Sequence, residues 1–135
     1  MKKVTRGYKN CNPGNIRINS DVFQGEIIPS QDKAFKQFTN MAYGYRAMFK
    51  MLRNYKLRRG CNTIREMITR WAPPSDNNHT EKYIKSVSTF ANILPDVEID
   101  INNEELMCRI VAGMSRVENG VLADMTDIKA GWRLL

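Results

Sequence analysis

From Met41 onward, apolar residues recur every three or four positions, and strong stop signals cut that recurrence into pieces of ordinary helix length. Met41, Tyr45, Met48, Leu52 and Tyr55 form the first stripe, widened by Ala42, Phe49 and Met51. Gly60 ends it, and basic residues fill its last turns, where a helix's carbonyl end favours positive charge. Thr63 is the expected cap of a short helix bearing Ile64, Met67, Ile68 and Trp71. Thr63-x-x-Glu66 has capping-box spacing, and Pro73-Pro74 stops the segment. A third helix, begun at Asn78 or Thr80, carries Tyr83, Ile84, Val87 and Phe90 on one face. In a fourth, Asn102 is the expected cap, supported by Glu105, and Leu106, Ile110, Val111, Met114 and Val117 turn inward. It should stop at Asn119-Gly120, because glycine suits the left-handed position after a helix. Asp124 or Thr126 starts a last short helix with Ile128 and Trp132.

The first 38 residues read differently. Gly7, Asn10, Asn12-Pro13-Gly14-Asn15, Gly25 and Pro29 are turn formers, and no helical period runs through them. Ile16-Arg17-Ile18 and Glu26-Ile27-Ile28 are candidate strands of a small sheet, with Phe35 and Phe38 pinning its end to the core. The expected fold is therefore mainly α, a helical domain with a small N-terminal β/loop region. The 135 residues suit a single domain over 1–135. At that length folding hides roughly two thirds of the chain's surface, enough for a core without disulfides or metals.

Composition excludes several classes. No apolar run approaches the ~18 residues that a membrane span needs. Met1-Lys2-Lys3 begins with charge like a signal peptide, but no apolar stretch follows, so the expectation is synthesis in the cytoplasm without an export signal. Cys11, Cys61 and Cys108 are far apart and odd in number, the pattern of three reduced thiols. His79 is the only histidine, and no ligand spacing surrounds it, so no metal and no cofactor is expected. The formal charge of +7 favours polyanionic partners: nucleic acid, anionic membrane or a carboxylate-rich cell wall. The basic residues are dispersed, apart from Arg53, Lys56, Arg58 and Arg59 near one helix end.

One carboxylate is out of place. Glu118 lies four residues after Met114 and seven after Val111, so it continues the apolar face of its helix into the last turn. Burial and the negative helix end both disfavour its ionised form. A carboxyl kept protonated near neutral pH is what general-acid cleavage of a glycosidic bond requires. The plainer alternative is a helix that frays at Val117 and releases Glu118 to solvent. The Asn-rich segment around Pro13-Gly14 offers Asx turns and exposed amides that suit N-acetyl and hydroxyl groups, or is only a well-specified turn. Trp71, beside Pro73-Pro74, could stack on sugar, though its helical spacing is that of a core residue. Tyr43 and Tyr45 are adjacent and cannot share a helix face, so one packs and the other lines a surface or groove.

Asn10-Cys11-Asn12-Pro13-Gly14-Asn15-Ile16-Arg17 resembles the "NNNPGNIR" signature of phage and prophage lysozyme-like proteins, with Cys11 replacing an asparagine. The resemblance runs on through Phe35-x-x-Phe38, Gly44-Tyr45-Arg46-Ala47, Tyr55, Thr63-Ile64, Arg70-Trp71-Ala72-Pro73-Pro74, Asp76-Asn77 and Tyr83-Ile84-x-x-Val87 to Met114-x-x-Val117-Glu118-Asn119-Gly120. It covers nearly the whole chain. Lytic transglycosylases and goose-type lysozymes start with a helix ending in a triplet such as Glu-Ser-Gly and place the sheet after it. Here Glu118-Asn119-Gly120 comes last, so the parts look circularly permuted, which would bring Glu118 beside the Asn12–Asn15 loop.

The resemblance implies a lysozyme-like domain that cleaves the β-1,4 bond between N-acetylmuramic acid and N-acetylglucosamine, with Glu118 protonating the glycosidic oxygen. In a transglycosylase the same glutamate then takes the proton of the muramic 6-hydroxyl. In a hydrolase a second carboxylate serves as base or nucleophile; Glu26 is the first choice, ahead of Asp21 and Asp32. Asn12, Asn15, Tyr45 and Tyr83 are the expected groove residues. The implied partners are peptidoglycan strands and other virion proteins, with action at the cell wall, in the periplasm or within a virion. Two rivals stand beside this reading: a virion or wall-binding protein that keeps the fold without turnover, and a nucleic-acid-binding module for which only the charge speaks.

Overall fold

The computed structural model describes residues 4–135. The charged Met1-Lys2-Lys3 start, on which the export expectation partly rests, lies outside them. The chain is mainly helical, with one small antiparallel sheet near the N-terminus. A short helix α1 (Arg6–Lys9) is followed by strands β1 (Glu26–Ile27) and β2 (Gln37–Phe38). Helices α2 (Met41–Arg59), α3 (Ile64–Trp71), α4 (Thr80–Ala91), α5 (Glu104–Asn119) and α6 (Met125–Arg133) complete the chain, with a 3₁₀ turn at Pro74–Asp76.

The helix boundaries follow their local signals. Gly60 and Gly120 take left-handed φ values of 67° and 73° at the ends of α2 and α5. Thr63 Oγ1 accepts from the Glu66 amide at 3.2 Å, while Glu66 Oε1 reaches back to the Asn62 amide at 3.0 Å, one residue beyond the usual capping-box partner. Asp124 caps α6. The cap of α5 is Asn103 rather than Asn102: Asp100 accepts from the Asn102 amide and draws that residue into a turn, which leaves Asn103 to accept from Leu106.

The core brings the inward stripes together. α2 packs against α6, α5, α3 and β2, and α5 packs against α4 and α6. Tyr45, Met48, Phe49 and Leu52 of α2 and Met107, Ile110, Val111 and Met114 of α5 are fully or almost fully buried. Each such side chain contributes about 1.5–3 kcal/mol by leaving water. Phe49 meets Trp132 edge to face at 5.2 Å, joining α2 to α6.

Two expectations about the N-terminal region change. Residues 6–9 form α1, started by Thr5 Oγ1 accepting from the Tyr8 amide at 3.3 Å; four residues are too few for a period to show. Glu26 and Ile27 do form a strand, but its partner is Gln37–Phe38. Ile16–Ile18 makes only an isolated bridge, Arg17 to Phe35. The Ile16 amide donates to the Asn12 side chain at 3.0 Å, so a local turn takes the group that a strand ladder would have used.

Candidate active site

α5 holds its helical form through Asn119, so Glu118 stays on the helix and does not fray into solvent. Its side chain is half-buried and meets two donors from distant parts of the chain. Asn15 Nδ2 donates to Oε1 at 2.9 Å, and the Tyr83 hydroxyl donates to Oε2 at 2.9 Å. Burial pushes the Glu118 pKa above the ordinary carboxylate value, against the opposing pull of hydrogen bonds from Asn15, Tyr83 and the Trp71 side chain. Tyr83 is itself buried, and burial together with the neighbouring carboxylate raises its phenol pKa well above the usual value, so it remains a donor.

The loop that delivers Asn15 is built for that task. Asn12 is fully buried; its amide nitrogen donates to the Ile16 and Lys36 carbonyls, both at 2.9 Å. Asn15 adopts a left-handed φ of 50°, which asparagine tolerates better than other side chains. Asn119, next to the acid, donates to the Pro13 carbonyl at 2.8 Å and accepts from Thr5 Oγ1 at 2.7 Å. These bonds tie the end of α5 to the N-terminal segment. Gly7 completes the junction: a Cβ there would lie 2.6 Å from the Asn119 side-chain oxygen and 2.8 Å from that of Asn15.

Glu118 and Asn15 open onto a cleft of about 350 Å³, also lined by Arg17, Tyr55, Trp71 and Asp76. Trp71 is half core and half wall: it meets Tyr55 at 6.3 Å and packs against Gly14 while facing the cleft. Arg17 lies 5.0 Å over the Phe35 ring, and both also line the cleft.

The expected site residues therefore separate. Glu118, Asn15 and Tyr83 come together, and Asn12 supports them from beneath without lining the cleft. Tyr45 does not line it: it is fully buried in α2, its hydroxyl 3.0 Å from Ser115 Oγ, and burial raises its pKa. Of the adjacent pair it is the one that packs, while Tyr43 covers Gly25. Glu26 is also elsewhere. Its two oxygens lie 3.1 and 3.0 Å from Lys36 Nζ, and the pair is buried, at 5% and 0% side-chain exposure. A lysine with no access to water needs such a partner, and this is what holds Glu26. Asp32 is engaged by Arg6, two backbone amides and Asn10, which hold its pKa well below the ordinary value. The carboxylate that does share the cleft with Glu118 is Asp76; at the end of a three-residue turn, it has no periodicity to point it out. Arg17 closes the Asn10–Arg17 motif, but only its bridge to Phe35 brings it to the cleft.

Among the described residues no group of three or more His, Cys, Asp and Glu side chains is placed to hold a metal ion. Among the same residues no helix is long and apolar enough to cross a membrane.

No family model matches the chain. It is 32% identical over 123 residues to Protein P5 of Pseudoalteromonas phage PM2, an alignment that spans 89% of this chain and 74% of the phage protein. The chain belongs to the family of that phage protein.

Proposed function

We propose that this protein is a peptidoglycan-cleaving glycosidase that works by a single-glutamate, lytic-transglycosylase mechanism, and that it serves a phage either in the virion or at the host wall. The observation that carries the reading is the Glu118 carboxyl: raised in pKa by burial, oriented by Asn15 and Tyr83, and open to a cleft with an aromatic wall. A carboxyl with those properties keeps its proton to higher pH than an ordinary glutamate and presents it in a fixed direction. Relationship to a phage protein supports a role in which a wall must be crossed.

In this mechanism Glu118 gives its proton to the glycosidic oxygen as the bond from the muramic C1 to that oxygen breaks. The muramic 6-hydroxyl oxygen then bonds to C1, and its proton passes to the Glu118 carboxylate, which restores the acid. The products are a 1,6-anhydromuramic end and a free 4-hydroxyl on the departing N-acetylglucosamine; no water is consumed. Asn15 and Tyr83 fix the plane of the carboxyl throughout. The face of Trp71 suits a pyranose ring, and Arg17 offers donors to hydroxyl and acetamido oxygens.

Mass spectrometry of purified peptidoglycan digested by the wild type and by Glu118→Gln tests the proposal. Anhydromuropeptides formed by the wild type alone support it. Reducing-end products would assign hydrolysis instead, with Asp76 as the second carboxylate to examine. Release by neither protein from several wall types would leave a virion or wall-binding protein without turnover.

A further inference from the structure

The cleft does not end at Tyr55. Asn19, Met51 and Tyr55 also line a second depression of about 550 Å³, so the two form one continuous groove. The second arm is basic. Arg46, Lys50, Arg58 and Arg59 of α2 and Arg70 of α3 surround it, against one carboxylate, Asp21.

The cations of this arm, like several outside it, have no carboxylate partner among the described residues, whereas five others, Arg6, Lys36, Lys56, Arg65 and Arg109, are paired. Arg46 donates to the Leu134 carbonyl, and Arg70 lies 5.4 Å over the Tyr55 ring at the junction of the two arms. Arg46, Lys50, Asn54 and Arg58 follow one another at four-residue intervals, a stripe about 18 Å long. Like charges at that spacing weaken a helix. Preference for the helix's carbonyl end accounts for Arg58 and Arg59 but not for Arg46 and Lys50, which stand earlier, nor for Arg70 on another helix. A concave wall of unpaired cations instead concentrates anions within it.

We propose that this arm is a subsite for the carboxylates of the peptide stems carried by the glycan strand, so that the protein selects peptide-substituted strands over bare glycan. The assignment rests on the peptidoglycan reading above. With a sugar chain in the Glu118 arm, the adjoining basic arm receives a substituent of the same strand, and the stems are its anionic substituents.

Binding of the full chain carrying Glu118→Gln, which leaves strands uncut, tests this. The probes are peptide-bearing glycan strands, the same strands stripped of stems by an amidase, and peptide-bearing strands whose carboxyls have been amidated. Peptide-bearing strands should bind at least 10-fold more tightly than stripped ones, with the amidated strands behaving as stripped. Adding Lys50→Gln with Arg58→Gln should bring that ratio near 1, as should the pair Arg58→Gln and Arg59→Gln, which alters only exposed side chains. Equal binding of the first two probes, or a ratio unmoved by both variant pairs, overturns the subsite. Tighter binding to duplex DNA, lost in the same variants, also overturns it and gives the groove to nucleic acid. Absence of cleavage by the wild-type chain would remove the glycosidase reading alone, because the binding ratio needs no turnover.

Discussion

Asn15 and Glu118 stand 103 positions apart in the chain and 2.9 Å apart in the fold. The contact joins a left-handed loop residue to the last turn of α5, and it sets the direction in which the carboxyl faces the cleft.

Removing either donor should change the pH dependence of the reaction as well as its rate. Asn15 and Tyr83 both pull the Glu118 pKa down against burial. In Asn15→Ala or Tyr83→Phe the acid should hold its proton to higher pH, moving the alkaline limb of the rate profile upward. The looser carboxyl should lower the maximal rate by about 10- to 100-fold. Rates on solubilised glycan strands across pH 4–9 would show both effects; a limb that moves downward would contradict the geometry.

Glu118 should also weaken the fold that it serves. Folding raises its pKa, so the native chain binds the proton more tightly than the unfolded chain. The resulting stabilisation is present at low pH and is lost as pH rises through the raised native value. Glu118→Gln should therefore melt roughly 2–4 °C higher than wild type at pH 7–8. The two melting curves should converge below the ordinary carboxyl value of 4.5. Calorimetry at the two pH extremes checks the sign.

Asn119→Ala should destabilise the protein by about 2–3 kcal/mol, because the buried Pro13 carbonyl loses the donor supplied by that side chain. Chemical denaturation measures the loss. Activity at a temperature where the variant is folded should fall as well, since the Asn15 loop is then untied from α5.

Lys36→Met should cost about 3–5 kcal/mol by leaving Glu26 buried without its counter-charge. Combining it with Glu26→Leu should recover most of that loss. If Glu26 has only this structural part, the double variant retains cleavage near the wild-type rate when assayed in its folded state.

Asp76→Asn separates the two ways of completing the reaction. A mechanism with Glu118 as its sole acid–base predicts anhydro products at a rate within about 3-fold of wild type, far from the 10²- to 10⁴-fold loss expected for a catalytic acid or base. A loss of that size would make Asp76 the second carboxylate.

The long helices were legible because each carries its own punctuation: Gly60, Thr63 with Glu66, Pro73-Pro74, Gly120 and Asp124 all act within a few residues of themselves. Glu118 was legible for the same reason, as a carboxylate on an apolar stripe. What escaped depended on partners distant in the chain. Nothing near Glu26 signals that Lys36 will be buried against it; Tyr45 already sat on the apolar stripe of α2, but its hydroxyl's partner, Ser115, lies 70 positions away. Four-residue α1 and three-residue Pro74–Asp76 are too short for a helical period to show, and Asp76 stood out only within the resemblance, with no role attached. The basic arm was half visible, as the Arg58-Arg59 end of α2 and the four-residue spacing that leads to it, but Arg70 of α3 joins it only once α2 and α3 are packed.

Gly7, held between the side chains of Asn119 and Asn15, marks a seam where early and late parts of the chain close on one another. The Glu118 site is therefore assembled only when both parts are present. A chain emerging from the ribosome has released its Asn15 loop about a hundred residues before the helix that will meet it, and until the seam closes Glu118 is an ordinary solvated glutamate. On the glycosidase reading, a chain whose seam has not closed lacks the oriented acid and would leave peptidoglycan intact, a safeguard that topology supplies without any inhibitor.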